Sequence, residues 1–357
     1  QEGQTIENII RNKIENNVGA IIISPKNRLY FTCFESSDGY LLVTKEDAVF
    51  ITDSRYFEAA EKAKLPCKVK LQGKIFEDIT EFFSEHRIEN IMLESGTITL
   101  KDYRIYQKHL PELKLSDGDE LNDIIDEMRK VKSADEVSNI KKAQAIAEAG
   151  FDYICKEIKA GKTEKEIQLS LDFFMLSNGA DAVSFDTICV SGKNSSLPHG
   201  VPSQKRIENG DFVTLDFGAV YKGYHSDMTR TVAVGFATDE MKKVYNVVLE
   251  AQKTALESLA PDISCIDADK YARDIIENAG YGEYFGHGTG HGVGVEIHEL
   301  PNLSPRGTDN LRVGNVVTVE PGIYLPDKFG VRIEDMALIT ENGYENLTKS
   351  PKELIIL

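Results

Sequence analysis

The sequence lacks a basic cluster and any long apolar segment. Its 41 Lys and Arg residues stand against 58 Asp and Glu residues, giving a formal net charge of −17 at pH 7. An acidic surface repels phosphate backbones and anionic lipids, so we expect neither nucleic-acid binding nor membrane association. No apolar run approaches the length of a membrane span, and the polar N-terminus has no signal-peptide core. We therefore expect a soluble protein.

Cysteine is scarce and unpatterned. The five cysteines form no C-x-x-C pair, and none stands beside a histidine in a nucleophile motif. Such a set predicts reduced thiols in a cytoplasmic protein, and it disfavours a disulfide framework or thiol chemistry.

With 357 residues, the chain is expected to form two domains. In the first third, short β-branched segments alternate with segments of helical periodicity, which predicts a compact α/β domain over residues 1–121. The predicted strands are GAIIISP, GYLLVTK, AVFITD, CKVKLQ and NIMLE, and the predicted helices are TIENIIRNKIENN, SRYFEAAEKAK and FEDITEFFSEHR. No convincing cluster of catalytic side chains occurs there, so we expect this domain to shape the substrate channel or to contact another subunit rather than to carry out chemistry.

Residues 122–135 are predicted to form a linker helix that leads into a second domain over residues 136–357. Two S/T-x-x-E capping boxes, Ser133 with Glu136 and Thr163 with Glu166, predict the starts of two helices. Further helices are predicted near residues 239–259 and 266–278, and paired strand segments follow each pair of helices. Connections of hairpin length predict an α+β domain with largely antiparallel strands.

Four acidic residues of the second domain stand in two predicted hairpins. Asp216 and Asp227 are eleven residues apart around a turn near residues 221–223, and Glu320 and Glu334 repeat the arrangement on the last two strands. Taken singly, such acids are usually solvated surface groups or turn formers. Asp216 and Glu320 follow apolar strand segments, however, and a buried carboxylate needs a partner. Four converging carboxylates would repel one another unless divalent cations neutralise them.

The placement of one histidine is a second indication of a metal site. His291 lies in GHGTGHGVG, where alternating glycines let the backbone and the imidazole approach a metal or substrate closely. The segment fits neither G-x-G-x-x-G nor the Walker pattern, and no H-E-x-x-H motif is present. Four carboxylates and one imidazole suit a pair of first-row divalent ions, which can turn water into a nucleophile. A metal-dependent hydrolase is therefore the leading hypothesis.

Two more histidines are candidates for proton transfer. His199 stands in the turn-like PHG, and His298 stands in EIHE, seven residues after His291. Imidazoles near a metal centre can bind a tetrahedral oxyanion or protonate a leaving amine. For each of them, a satisfied core or loop histidine is the alternative.

The five ordered ligands, with the segments PHG, GHGTGHGVGVEIHE, TVEPGIY and VRIED, resemble the peptidase family with the pita-bread fold. Its members include methionine aminopeptidase, aminopeptidase P and prolidase. The resemblance covers about residues 122–357, and the preceding segment resembles the creatinase/prolidase-type domain of the proline-specific branch. It implies an α+β fold, in which a C-terminal pita-bread (creatinase/aminopeptidase) domain follows a smaller α/β domain. That first domain disfavours methionine aminopeptidase itself.

The resemblance also implies a ligand assignment. Two divalent metal ions would bind per subunit, Mn being preferred and Co, Fe or Zn being alternatives. Asp216 would bind one ion, and Asp227 and Glu334 would bridge both. His291 and Glu320 would complete the second site.

The resemblance implies catalytic roles as well. A hydroxide bridging the metals would attack the carbonyl before proline, with Glu320 taking up or relaying its proton. His199 and His298 would stabilise the tetrahedral intermediate or assist departure of the proline nitrogen. Arg332 matches a substrate-site arginine, and a salt bridge to the neighbouring acids is an equal alternative for it.

One position departs from the family pattern. Some prolidases carry an arginine four residues after the histidine matched by His298, where it holds the carboxylate of a dipeptide; here that residue is Asn302, with Arg306 nearby. A neutral amide lacks the charge-assisted grip of a guanidinium on a carboxylate. We therefore expect an aminopeptidase P-like enzyme that cleaves between an N-terminal residue and a following proline.

The alternative is an Xaa-Pro dipeptidase restricted to dipeptides. A non-catalytic pita-bread protein that binds a peptide or protein, and a creatinase-like amidinohydrolase, are disfavoured because all five ligands are present. We expect a proline-containing peptide as substrate and a cytoplasmic homodimer.

Overall fold

The computed structural model describes residue 10 and residues 13–357 and divides the chain into two compact units, Gln1–Met128 and Arg129–Leu357. Most of the helix predicted over residues 5–17 lies outside the described residues. Where a linker helix is predicted over residues 122–135, the structure has a helix at Glu120–Lys130. Among the described residues, no helix combines the length and apolar character needed to cross a bilayer.

The described part of the first unit is built on a mixed sheet. Its strands are β1 Val18–Ile22, β2 Tyr40–Val43, β3 Ala48–Thr52, β4 Lys68–Leu71, β5 Asn90–Leu93 and β6 Lys114–Leu115. They lie in the order β4-β3-β2-β1-β5-β6, and β2 is antiparallel to both of its neighbours. The helices are α1 Pro25–Thr32, α2 Phe57–Ala63, α3 Ile75–Glu85, α4 Leu100–His109 and α5 Glu120–Lys130.

Both faces of this sheet are buried. Ala20 and Ile22 pack in one cluster with Phe31, whereas Ile21 packs in another cluster with Phe83. Because successive strand residues point to opposite faces, this alternation requires apolar layers on both sides. The five strands predicted from the sequence are confirmed, and β6, α1 and α4 are additions.

The second unit carries four long helices and two groups of strands. The helices are α6 Ala134–Glu157, α7 Glu164–Ser177, α8 Asp239–Glu257 and α9 Cys265–Asn278. The first strand group is β7 Ala182–Val183, β8 Ile188–Ser191, β9 Phe212–Phe217, β10 Ala219–Tyr221, β11 Tyr224–His225 and β12 Met228–Ala233. The second is β13 Gly290–Gly292, β14 Glu299–Leu303, β15 Val316–Val319, β16 Gly322–Leu325, β17 Phe329–Arg332, β18 Asp335–Thr340 and β19 Gly343–Asn346.

Each helix pair packs on one strand group. Apolar residues of α6 and α7 share a core with β8, β9 and β12, and those of α8 and α9 share another with β15, β17 and β18. Both predicted capping boxes are confirmed, at Ser133 with Glu136 and at Thr163 with Glu166. Every ladder between the named strands of this unit is antiparallel, as predicted.

Two broken hairpins position the site. In the first, β9 pairs with β12, β10 pairs with β11, and Lys222 and Gly223 close the turn with positive φ angles of 49° and 78°. Such angles at both central residues define a type I′ turn. In the second, β15 pairs with β18 and β16 with β17. Asp227, Glu320 and Glu334 lie at the breaks between inner and outer ladders.

Candidate metal centre and its cavity

All the site residues predicted from the sequence line one cavity of the second unit, with a volume of about 970 Å³. They are Asp216, Asp227, His291, Glu320, Glu334, His199, His298 and Arg332. The two hairpins, β13 and the loops beside it therefore converge as the sequence predicts.

Three of the predicted ligands are within reach of a single ion. Ligand atoms of Asp227, His291 and Glu334 all lie within 4.8 Å of one another. His291 Nε2 is also 3.3 Å from Glu320 Oε1 and 3.6 Å from Asp227 Oδ2. Glu334 is held in turn by Thr229, whose hydroxyl donates to Glu334 Oε2 over 2.7 Å.

The orientation of His291 is fixed by its backbone surroundings. Its Nδ1 lies 3.0 Å from the carbonyl oxygen of Gly292, so an Nδ1–H can donate there and Nε2 faces the carboxylates. The flanking glycines are required by close packing. A Cβ on Gly290 would lie 1.9 Å from the carbonyl oxygen of Thr318, and one on Gly292 would lie 2.3 Å from that of Leu300.

Burial and charge repulsion shape the protonation of these groups. Burial, followed by the charge of Asp216, raises the pKa of Asp227 well above its usual value, and burial with the charge of Asp227 does the same for Glu334. Burial acts to lower the pKa of His291, but Glu320 and Asp227 raise it to about 9. Protein groups alone therefore leave this acidic cluster only partly neutralised.

Arg332 forms the salt bridge with a neighbouring acid that was its alternative, to Asp216, and because it also lines the cavity its substrate-site role stays a prediction. Its Nη2 donates to Asp216 Oδ2 over 2.6 Å, and its Nη1 donates to the hydroxyl of Tyr324 over 2.9 Å. That hydroxyl is also 2.8 Å from His287 Nε2. Tyr324 was not predicted as a site residue, although it ends the TVEPGIY segment, where it lies four residues after Glu320.

The two proton-transfer candidates are exposed to the cavity. The ring of His298 lies 4.4 Å from that of His291, in an edge-to-face arrangement with an interplanar angle of 63°. Burial and the charge of His291 lower the pKa of His298. His199 lies in a turn that follows a 3₁₀ segment, Gly192–Ser196. Neither imidazole is buried as a core histidine would be.

Cationic side chains also line the cavity away from the acidic cluster. Asn302 and Arg306 are both exposed and both belong to the lining, as does Lys165 of α7. Within the described residues, neither Lys165 nor Arg306 forms an ion pair. The sequence does not single out Lys165.

The residues present fit divalent cations. Asp216 Oδ1 is buried and has no hydrogen-bond partner among the described residues, although its sister oxygen binds Arg332. A buried carboxylate oxygen without a donor lacks compensation for the loss of water. Carboxylate oxygens with one imidazole are the ligands that Mn²⁺ and similar ions accept.

The chain is similar to known proteins over most of its length. Residues 138–341 match Metallopeptidase family M24, and residues 14–131 match the Creatinase/Prolidase N-terminal domain. An Xaa-Pro dipeptidase of Pyrococcus horikoshii is 40% identical over 356 residues, 99% of each chain. The structure of an Xaa-Pro dipeptidase from Bacillus anthracis is similar with a TM-score of 0.90, at 44% identity and 95% coverage of each chain. An X-Pro aminopeptidase structure from Thermotoga maritima has a TM-score of 0.91, at 36% identity, covering 98% of this chain and 100% of its own.

Proposed function

Because the chain belongs to metallopeptidase family M24 and carries a Creatinase/Prolidase N-terminal domain, we propose that it is an Xaa-Pro dipeptidase. It would hydrolyse the bond between an N-terminal residue and a C-terminal proline. The observation that carries this proposal is similarity over nearly the whole chain to proteins named Xaa-Pro dipeptidase. The proposal thus prefers the dipeptidase alternative to the aminopeptidase P-like activity that Asn302 suggests.

Two divalent ions, with Mn preferred, would be held by the five acidic and imidazole ligands. The residues that would hold them are Asp216, Asp227, His291, Glu320 and Glu334. When bound, such ions supply Lewis acidity and an activated water at neutral pH. The orphaned Asp216 Oδ1 and the close approach of Asp227, His291 and Glu334 support this assignment.

The remaining side chains would move protons and hold the substrate. Glu320 would accept a proton from the attacking water, since it lines the cavity and its Oε1 lies 3.3 Å from Nε2 of His291. His199 and His298 donate to the developing oxyanion or to the leaving proline nitrogen. Arg332 holds Asp216 and Tyr324 in place, and its contact with substrate is secondary in this scheme.

Recognition of a dipeptide requires a cation for its free carboxylate. Asn302 supplies no charge, but Lys165 and Arg306 line the same cavity and have no ion pair within the described residues. A charge-assisted hydrogen bond from either side chain would bind the dipeptide carboxylate, which the neutral amide of Asn302 cannot do with a charge. This arrangement supports dipeptide specificity without an arginine at position 302.

The test compares three substrates on the metal-reconstituted enzyme: Xaa-Pro dipeptides, their C-terminal amides, and Xaa-Pro-Xaa tripeptides. We expect the free dipeptides to be preferred by about tenfold or more, the worth of one charge-assisted hydrogen bond. Arg306→Ala or Lys165→Ala should raise KM for the free dipeptide and leave KM for its amide unchanged. Lys159→Ala, at an exposed lysine outside the cavity lining, is the matched control.

The second candidate function is that of an Xaa-Pro aminopeptidase. Asn302 and the similarity to the Thermotoga maritima X-Pro aminopeptidase favour it. Equal or better turnover of tripeptides would establish this candidate and reject the dipeptidase. A homodimer in the cytoplasm stays a prediction, to be tested by analytical ultracentrifugation and by cell fractionation.

A further inference from the structure

Glu164, the first residue of α7, is a completely buried carboxylate with a relative exposure of 0%. It forms no ion pair within the described residues. A buried carboxylate without a cation is tolerated only when hydrogen-bond donors surround both of its oxygens. The identity of those donors therefore indicates what this residue does.

The groups that donate hydrogen bonds to the Glu164 carboxylate all belong to residues 191–203, the segment that carries His199. Oε1 accepts from Ser191 N over 2.7 Å, from Ser191 Oγ over 2.9 Å and from Asn194 Nδ2 over 3.1 Å. Oε2 accepts from Ser203 N over 3.0 Å and from Ser203 Oγ over 2.6 Å. Ser191 and Ser203 flank His199, so this one carboxylate joins both ends of the 191–203 segment.

The imidazole of His199 is not fixed by a hydrogen bond of its own within the described residues. It is exposed to the cavity. Its place therefore depends on the backbone of the segment. Between the two ends, the segment is held where Arg332 Nη1 donates to the carbonyl oxygen of Pro198 over 3.3 Å and where Gly330 N donates to Ser195 Oγ over 2.9 Å.

We propose that Glu164 is a positioning residue that sets the place of His199 in the cavity. This inference rests on the proposed function, in which His199 contacts the reacting peptide. A carboxylate is required because it only accepts hydrogen bonds, whereas the amide group of a glutamine would direct N–H donors at the donors of Ser191 or Ser203. Substitution by glutamine would then release one end of the segment.

The test is Glu164→Gln, with Glu166→Gln as the matched control. Glu166 lies in the same first turn of α7 and is exposed, and among the described residues its carboxylate accepts only from Thr163, whose backbone N–H donates over 2.7 Å. Both substitutions remove one negative charge from the same helix terminus. We expect E164Q to lower kcat on an Xaa-Pro substrate by about 10- to 100-fold, the loss typical of a misplaced catalytic group, and E166Q to stay within about twofold.

A double-mutant cycle with His199→Ala separates positioning from general loss of structure. If Glu164 acts through His199, the double variant loses no more activity than H199A alone, whereas multiplied losses would overturn the inference. Near-wild-type turnover of E164Q would overturn it too. If E164Q fails to fold, Ser203→Ala removes one contact and should give a smaller loss that disappears in the H199A background.

A crystal structure of E164Q tests the inference independently of activity. Displacement of the 191–203 segment and of His199, with the other cavity residues in place, supports it, and an unchanged His199 refutes it. Absence of wild-type turnover on every Xaa-Pro peptide would refute the proposed function alone. The two failures are therefore distinguishable.

Discussion

Arg332 at the end of β17 donates to Asp216 near the end of β9 across 2.6 Å, and both side chains are almost completely buried, with relative exposures of 4% and 13%. The pair joins the two hairpins that carry the acidic cluster. It also leaves only one oxygen of Asp216 for any other partner. We therefore expect the stability of the site and its affinity for metal to be coupled through this contact.

Arg332→Met should destabilise the metal-free protein by about 3–5 kcal/mol, because it leaves Asp216 as a buried charge without its partner. Urea unfolding in the presence of EDTA measures this loss. Added Mn²⁺ should recover part of it, since a cation can replace the guanidinium beside Asp216. Arg306→Met, at an exposed arginine of the same cavity, should change the free energy of unfolding by no more than about 0.5 kcal/mol. Equal effects of the two substitutions would contradict the coupling.

Asp227→Asn should abolish peptidase activity and reduce the number of bound metal ions. Asp227 offers a ligand atom within 4.8 Å of those of His291 and Glu334, and a neutral amide binds a divalent cation less well than a carboxylate does. Isothermal titration with Mn²⁺ gives the stoichiometry, and a thermal melt checks the fold. Asp239→Asn, at the exposed start of α8, is the control and should bind metal as the wild type does. Wild-type rates in D227N would reject the metal centre.

In the metal-free protein, the free energy of unfolding should fall as the pH rises from about 5 to about 9. Unfolded carboxyls titrate near pH 4, and burial with neighbouring acids raises the folded pKa of Asp227 and Glu334 above that value. Groups of this kind contribute stability at low pH and lose it as the pH rises through the folded pKa. His291 acts in the same direction, because its folded pKa is raised to about 9.

One group, Glu320, contributes to stability with the opposite pH dependence, but its effect falls below the interval from about pH 5 to about pH 9. Glu320, with its pKa lowered to about 2, contributes stability that is lost only as the pH falls below about 4.5. Urea titrations at several pH values, with EDTA or with Mn²⁺, measure the slope. The slope should be steepest with EDTA and shallower in D227N. If the stability of the metal-free protein instead rose with pH over this interval, folding would not raise the pKa of Asp227 and Glu334.

Glu299→Gln should destabilise the protein by about 3 kcal/mol and also lower kcat. Its buried carboxylate accepts from Arg129 Nη2 over 2.7 Å and from Lys132 Nζ over 3.0 Å. It directly follows His298, so weakening these contacts should free the segment that places this imidazole. Stability is measured by denaturant unfolding, and kcat is measured well below the melting temperature.

The matched control for that prediction is Glu345→Gln. Glu345 forms an ion pair with Lys141 over 2.8 Å, but both side chains are more than 40% exposed. Exposed pairs contribute at most about 1 kcal/mol, so this substitution should have little effect on stability and none on kcat. A comparable loss in both variants would remove the distinction between the two glutamates.

The elements that the sequence predicts best are those with local signals. The turn near residues 221–223, the capping boxes at Ser133 and Thr163, and the α+β pita-bread architecture with its N-terminal domain are confirmed. Asp216 and Glu320 could be found because each follows an apolar strand segment, and Asp227 and Glu334 because they stand on the other arms of the same two predicted hairpins. Their roles stay predictions, although the structure brings all five to one cavity.

The rest depends on contacts between distant parts of the chain. Glu164 stands in an ordinary helix start, and only its distance of 2.7 Å from Ser191 N reveals what it holds. Likewise, the segment VRIED does not indicate that Arg332 pairs with Asp216. Helix α1 was missed because its residues are polar, although Ser24 as N-cap and Pro25 at the first position would have indicated it.

The broken hairpins determine where residues can be inserted into or deleted from this chain. In β9 and β12, Asp216 stands opposite Thr229, and strand side chains alternate between faces. Deleting one residue from either strand would turn the Asp216 carboxylate, or the Thr229 hydroxyl that holds Glu334, toward the helices. Residues added at the Lys222-Gly223 turn would leave that register intact. Insertions should therefore be tolerated at the tip of the hairpin and eliminated from its arms.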